Sequence, residues 1–286
     1  MSDTPGPGDF LKAWLQYPLP HHALSRLVHA TSRSRAPWLR DRLMTWFVER
    51  YGVDLKEADR DEISDYDSLN DLFTRALNPG ARPVDHHADL VSPVDGVISR
   101  LGDIERGQLI QAKGRRFTLE ELLADEGSAE PWKDGRFITL YLAPHHYHRV
   151  HMPADGTLVK LCHVPGRLFS VNPATTRGVP RLFARNERLV AGFETEFGPM
   201  AVILVGAMLV GSMETIWTGE VTPPTRLAAR ALDLPSIKQR RLGQGAELGR
   251  FNMGSTVIVV LPAGAPDFAR TLHPGRELRM GMALSE

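Results

Sequence analysis

Glu247-Leu-Gly-Arg-Phe-Asn-Met-Gly-Ser-Thr-Val-Ile-Val-Val-Leu261 joins a turn, a hydroxyl and an uninterrupted apolar run. Val257 to Leu261 reads as an apolar strand, and Gly254-Ser255-Thr256 as the turn that leads into it. The tripeptide also sets a hydroxyl beside an almost unshielded carbonyl. Glycine has no Cβ to crowd its carbonyl and tolerates unusual backbone angles, so Ser255 could attack the Gly254 carbonyl if the fold pressed it into position. The chain would then cut itself and convert Ser255 into a cofactor. Gly-Ser-Thr is a common tripeptide, so the choice between a plain turn and a fragile bond falls to the rest of the chain.

The strand texture extends back to Leu90. Short runs rich in Val, Ile and Leu alternate there with Gly, Pro, Asn and Asp, which predicts a mainly β domain over residues 79–286. Thr118 to Leu123 reads as the one brief helix inserted in it. Ser92-Pro-Val-Asp-Gly-Val97 is echoed by Met152-Pro-Ala-Asp-Gly-Thr157, each a Pro-x-Asp-Gly turn entering a strand. The echo points to an internally duplicated β architecture that brings the two turns close together; chance likeness over six residues is the alternative.

Residues 1–78 differ. Residues 10 to 51 hold three of the five tryptophans, Trp14, Trp38 and Trp46, among leucines and phenylalanines at helical spacing. Pro18, Pro20 and Pro37 divide them into two or three short helices. Over residues 1–50, seven Lys and Arg face four Asp and Glu, a formal +3. Basic amphipathic helices with tryptophans suit an anionic membrane surface, and packing on the body of the protein or on a second subunit fits the pattern as well. A further short helix is expected at Ser68 to Leu77. The fold class is therefore α+β.

Bulk composition excludes several functions. Lys plus Arg equals Asp plus Glu at 34 each, with no basic stripe, which argues against nucleic-acid binding. One cysteine, Cys162, rules out an intrachain disulfide or a cysteine-built zinc cluster and fits a reducing compartment. The first residues lack a basic, then apolar, secretory pattern, which favours the cytoplasmic side. Phe197 to Met213, interrupted by glycines and Pro199, reads as core strands and not as a membrane span.

Four of the eleven histidines, His145, His146, His148 and His151, crowd into Tyr141 to Pro153. Such a cluster suggests proton transfer, metal ligation or anion binding. A zinc reading would use His145, His148 and His151 with Asp95 and leave one position open. A nucleophile reading would use Ser255, His151 and Asp95 as hydroxyl, base and orienting carboxylate. Spacing does not choose between them. No Gly-x-Ser-x-Gly elbow, phosphate-binding loop or dinucleotide fingerprint is present. A zinc hydrolase and a carrier or phosphotransfer domain stand as the alternatives.

Longer motifs carry a resemblance. Ser92 to Ser99, Tyr147-His-Arg-Val-His-Met-Pro153, Val164-Pro-Gly and Leu168-Phe-Ser-Val-Asn172 are among them. They continue with Leu182 to Arg188, Glu196 to Met200, Val205-Gly-Ala, Val210-Gly-Ser and Gly245 to Phe251, ending at Gly254-Ser-Thr256. In this order they resemble the membrane-associated, pyruvoyl-dependent phosphatidylserine decarboxylase proenzymes. The resemblance implies self-cleavage between Gly254 and Ser255 by a relay of Asp95, His151 and Ser255. A large subunit, 1–254, and a small one, 255–286, would result. Ser255 would become a pyruvoyl group that forms a Schiff base with phosphatidylserine, and His148 would serve the decarboxylation to phosphatidylethanolamine. It further implies Phe169, Ser170, Val171 and Asn172 as substrate-binding residues and no metal. Peripheral attachment to the cytoplasmic side of the cell membrane and a homodimer of the cleaved heterodimer are also implied. Met253 stands where the family's leucine precedes Gly-Ser-Thr, a change similar in volume that should preserve cleavage.

Overall fold

Val257 to Leu261 lack polar residues because both faces of their strand are covered. The computed structural model describes residues 6–112, 115–125, 129–208, 212–221, 230–231, 234 and 237–286. In it Ser255–Leu261 is one strand, buried along its length. Val257, Val259 and Leu261 enter one core, and Ile258 and Val260 enter another on the opposite face, as side-chain alternation requires. A strand covered on both faces reads as a continuous apolar run. Ser255 itself is in the strand, paired opposite Leu142, and is not in the turn before it.

The chain opens with α1 (Pro7–Trp14), α2 (His21–Ser32), α3 (Pro37–Tyr51) and α4 (Leu69–Phe73). Next come β1 (Gly96–Asp103), β2 (Gln108–Ala112), β3 (Arg115–Thr118), α5 (Leu119–Leu123), β4 (Arg136–Leu142), β5 (Arg149–His151) and β6 (Gly156–Val164). They are followed by α6 (Pro173–Gly178), α7 (Leu182–Arg185), β7 (Arg188–Thr195), β8 (Gly198–Val205), β9 (Ser212–Thr215) and β10 (Gly219–Val221). Last are β11 (Arg230–Ala231), β12 (Arg241–Leu242), β13 (Glu247–Asn252), β14 (Ser255–Leu261) and β15 (Glu277–Leu278). Among the described residues, the large sheet runs β11-β6-β7-β8-β14-β4-β1-β15 with β12 also on β6, and a smaller sheet runs β10-β9-β13-β5. One core lies between these sheets, joining Val202 and Val257 to Val150, Leu248 and Phe251. The other lies between the large sheet and the helices, joining Ile203 and Ile258 to Leu122, Val179 and Phe183.

The two Pro-x-Asp-Gly turns open β1 and β6, which occupy mirrored places: β6-β7-β8 on one side of the sheet centre and β14-β4-β1 on the other. Each strand breaks register at the same distance from its turn, β1 between Ile98 and Arg100 and β6 between Leu158 and Lys160. The equivalence extends beyond turn chemistry. It also brings the turns together as expected: although β1 and β6 lie toward opposite ends of the sheet order, Val91 N donates to Pro153 O at 2.9 Å and His151 N to Pro93 O at 2.8 Å.

Local signals explain most helix limits. Pro37 occupies the first turn of α3, and Gly52, at φ 65°, ends it with an N–H bond to Val48 O. Thr118 and Glu121 form a capping box at α5. Ser68 caps α4, which stops at Phe73 and not at Leu77. Residues 76–78 pair instead with 57–59 through Asp59 N to Ala76 O (3.1 Å) and Asn78 N to Glu57 O (2.9 Å). Helices α6 and α7 add to the single helix expected within the β region. Residues 209–211, within the expected core strands and the Val210-Gly-Ser motif, lie outside the described residues.

Candidate active site

β14 delivers Ser255 to the edge of a cavity of about 320 Å³. Phe47, Phe73, Tyr141, Ser170, Asn172 and Met253 are among its walls, with Gly254 and Ser255. Ser255 is 1 % exposed, and its Oγ has no hydrogen-bond partner. A buried hydroxyl left unpaired costs free energy, so the position calls for a chemical reason. The space where a Gly254 side chain would sit is open, with nothing within 4 Å. Just before it, Met253 has φ 98°, an angle that side-chain-bearing residues rarely adopt. Asn252 anchors this turn, donating to Ser212 Oγ at 2.8 Å and accepting from Asn70 Nδ2 at 3.2 Å.

The histidines differ in their surroundings. His148 is fully buried and offers Nδ1 to His146 O at 2.8 Å; a carbonyl only accepts, so Nδ1 carries the proton. Its Nε2 is therefore a bare lone pair, and no partner meets it. Burial pushes its pKa well below 6.5, with the Arg75 charge adding to the effect. Phe73 stacks on the imidazole at 4.0 Å and also lines the cavity with Ser255. His151 likewise protonates Nδ1, which meets Gly245 O at 2.8 Å, and its Nε2 accepts from the Tyr147 hydroxyl at 3.1 Å. Burial lowers its pKa also and raises that of Tyr147 to about 12.

Asp95 is buried but turned to other partners. Arg82 grips it through Nε at 2.9 Å and Nη2 at 2.7 Å, and Met280 N donates to it at 2.8 Å. Burial opposes the Arg82 charge, but hydrogen bonding to Asp95 and Glu57 outweighs it and raises the pKa. Backbone links bring the three motifs of the expected relay together: His151 N donates to Pro93 O at 2.8 Å, and His151 pairs opposite Glu247. No hydrogen bond joins the Asp95, His151 and Ser255 side chains to one another.

Of the expected substrate-binding residues, Ser170, Val171 and Asn172 line the cavity and Phe169 does not. The Phe169 ring turns toward the N-terminal helices, 5.0 Å from Tyr17 and 5.1 Å from His21. The zinc set of His145, His148, His151 and Asp95 does not converge. Among the described residues, the donor atoms that do gather belong to His145, His146 and Glu277. There the His146 ring is engaged on both nitrogens, by Ala143 N at 2.9 Å and Glu277 at 3.2 Å. Sequence reasoning missed Arg82, Arg75 and Phe73. Phe73 lies within the helix expected at Ser68 to Leu77, whereas the two arginines carry no local signal because their partners His145 and Asp95 are 13 or more residues away along the chain.

A family model described as phosphatidylserine decarboxylase matches residues 69–286, and one described as PSD matches residues 11–52. The chain is 52% identical over 272 residues to a phosphatidylserine decarboxylase proenzyme of Ectopseudomonas mendocina (strain ymp), covering 94% of this chain and 95% of the relative. It is 51% identical over 261 residues to the proenzyme of Alkalilimnicola ehrlichii, covering 90% and 91%. To that of Pseudomonas putida (strain GB-1) it is 50% identical over 274 residues, covering 95% and 96%. The family match over residues 69–286 contains Ser255, His148, His151 and nearly every wall of the cavity, and the likeness runs through almost the whole chain, so this protein belongs to the phosphatidylserine decarboxylase family.

Proposed function

We propose that this chain is a proenzyme that cuts itself between Gly254 and Ser255 and then decarboxylates phosphatidylserine to phosphatidylethanolamine. One observation carries the reading: the Ser255 hydroxyl is buried, unpartnered and at the wall of a cavity, next to a glycine whose side-chain position is open. In the first step Ser255 Oγ attacks the Gly254 carbonyl and the peptide becomes an ester. His151 takes the hydroxyl proton on Nε2, the nitrogen that faces Tyr147. Asp95 keeps Arg82 and the 92–95 turn in place against the end of β5. Loss of the Ser255 Cα proton with departure of the Gly254 carboxylate leaves dehydroalanine, and water replaces its nitrogen as ammonia. The product is a pyruvoyl group at residue 255.

The residues present fit that group: position 255 lines the cavity, and buried atoms without a partner include Ser255 Oγ, the neighbouring Thr256 Oγ1 and His148 Nε2. Once formed, the ketone supplies an electron-withdrawing carbonyl to a bound amino acid headgroup, which lets its carboxylate leave as carbon dioxide. His148, neutral and unpaired at Nε2, would take there the proton that the headgroup ammonium loses before its amine can react, and would return it to the carbon from which carbon dioxide departs. Ser170 and Asn172 offer polar contacts for the headgroup, while Phe47, Tyr51 and Val171 form the apolar side of the cavity.

A diacyl lipid leaves a bilayer at high cost, so the enzyme must work at its surface. No described helix is long and apolar enough to cross a membrane. Leu11, Trp14, Leu27, Trp38 and Trp46 are exposed on α1, α2 and α3, which supports peripheral attachment through residues 1–78 to the cytoplasmic face of the cell membrane. Assembly as a homodimer of the cleaved heterodimer belongs to the same proposal. Denaturing mass spectrometry tests its core: the purified protein should appear as chains 1–254 and 255–286, and Ser255→Ala as one chain that forms no phosphatidylethanolamine. An uncut chain that still decarboxylates the lipid would refute it.

A further inference from the structure

α1 turns its sides to different environments. Trp14 and Leu15 are exposed, 76% and 62%, whereas Ala13 and Gln16 are buried. Ala13 joins the core beneath the large sheet, and α1 packs against α6. Gln16 sits just past the helix, its backbone N–H bonded to Ala13 O at 3.1 Å. Its side chain reaches inward: Oε1 accepts from Ser170 N at 2.9 Å, and Nε2 donates to Thr175 Oγ1 at 3.0 Å.

Those two partners bracket Asn172. The Asn172 side chain accepts from Thr175 N at 3.0 Å and donates to Ser170 Oγ at 2.9 Å, closing a loop of polar contacts around Ser170–Asn172. That segment is one wall of the cavity that holds Ser255. The same turn is clamped upstream, where His21 Nδ1 accepts from Leu168 N at 3.3 Å and Arg167 Nη2 donates to Tyr17 O at 2.7 Å. α1 and the turn that directly follows it thus carry exposed Trp14 outward and the backing of the cavity wall inward.

We propose that Gln16 is a positioning residue for substrate binding: its amide fixes the Ser170–Asn172 wall, so the seat of α1 sets the shape of the cavity that receives the lipid headgroup. The inference rests on the decarboxylase reading above. Removing the amide leaves the Ser170 N–H and the Thr175 hydroxyl buried without that partner, a cost the wall relieves by moving. Since Gln16 touches the wall and not the reacting atoms, its loss acts on substrate affinity before chemistry.

The test uses the full chain as Gln16→Leu and Gln16→Glu, with cleavage of each checked by mass. The substrate is dihexanoyl phosphatidylserine held below its micelle concentration. Gln16→Leu should raise KM about tenfold, the size of one lost hydrogen bond, with kcat within about threefold of the parent. Gln16→Glu keeps an acceptor for Ser170 N and should recover most of the loss. A KM within about twofold of the parent overturns the proposal. So does weakened sedimentation with phosphatidylserine–phosphatidylcholine vesicles at unchanged KM, which would make Gln16 a membrane-anchoring residue alone. If Gln16→Leu does not fold, Thr175→Val, which removes one partner of the same amide, must raise KM or the proposal falls. If the parent is cleaved but consumes no phosphatidylserine, the decarboxylase reading fails separately. Amide exchange at Ser170 then decides: faster in Gln16→Leu or Thr175→Val supports the wall-fixing role, and unchanged rejects it.

Discussion

Met253 is the residue whose conformation bears most directly on the fragile bond. A side chain at φ 98° costs on the order of 1–3 kcal/mol and persists only where the surroundings enforce it. Here they do: Asn252 is pinned from β9 and α4, and Met253 packs against the Phe47–Phe73 cluster. Cleaving the next peptide bond but one frees that turn, so the strain is available to the reaction. Met253→Gly, which adopts the same angle without cost, should slow precursor conversion by about tenfold, the equivalent of ~1.4 kcal/mol. Met253→Leu should cut at the parental rate. A time course of precursor disappearance after cell-free synthesis reads both, and equal rates for the glycine variant would remove strain from the pathway. The sequence pointed to Gly254 as the permissive position, yet the left-handed angle falls on Met253 and not on Gly254. Nothing local in Asn-Met-Gly says which residue takes it, because that is decided by Ser212 and Asn70, distant in sequence.

At the scale of elements, the pattern of the N-terminal helices left open membrane docking and packing on the body. α1 packs on the body through Ala13, while Leu11 and Trp14 are exposed and so available for the docking proposed above. Leu11→Ser with Trp14→Ser should weaken binding to anionic vesicles at least about tenfold, since each side chain contributes roughly 1 kcal/mol or more when partly buried in lipid. Cosedimentation measures it, and unaltered binding would exclude α1 as a docking element. Salt should matter less than the +3 charge suggests, because Arg33 already meets Glu220, an acid outside residues 1–50, at 2.7 Å. Proline and tryptophan spacing made α1 to α3 legible, and β-branched runs did the same for the large sheet. The end of α4, along with α6 and α7, was not legible. Helices of four to six residues are held by contacts such as Asn172 to Thr175 N and the pairing of 76–78 with 57–59, which short-range pattern does not encode.

Across the whole molecule, the joint between the helices and the sheets is built on neutral imidazoles. His21 opens α2, His148 lies against Phe73, a wall of the cavity, and His146 and His151 lie in the same segment between β4 and the end of β5; burial lowers the pKa of all four below 6.5. The unfolded chain binds protons at these histidines near pH 6.5 while the folded chain does not, so stability must rise with pH through that region. The contribution is fully present above about pH 6.5 and is lost as pH falls below it, by up to about 1.4 kcal/mol per pH unit for each imidazole. Carboxylates act elsewhere. Burial pushes Asp71 and Glu220 up, but Arg60 for the first, and Ser212 with His29 for the second, hold them below their usual values of 3.8 and 4.5. Their share disappears only in stronger acid, which leaves the interval from about pH 6.5 to 5 to the histidines. Thermal melts of Ser255→Ala avoid separation of two cleaved chains and should show a midpoint that drops steadily across this interval. His148→Gln in that background keeps an amide donor for His146 O and removes one titrating group, so the slope should decline by about a quarter. A midpoint independent of pH would mean that these rings are already protonated or reach water, and His148 would lose the neutral, unpaired Nε2 on which its part in proton exchange depends.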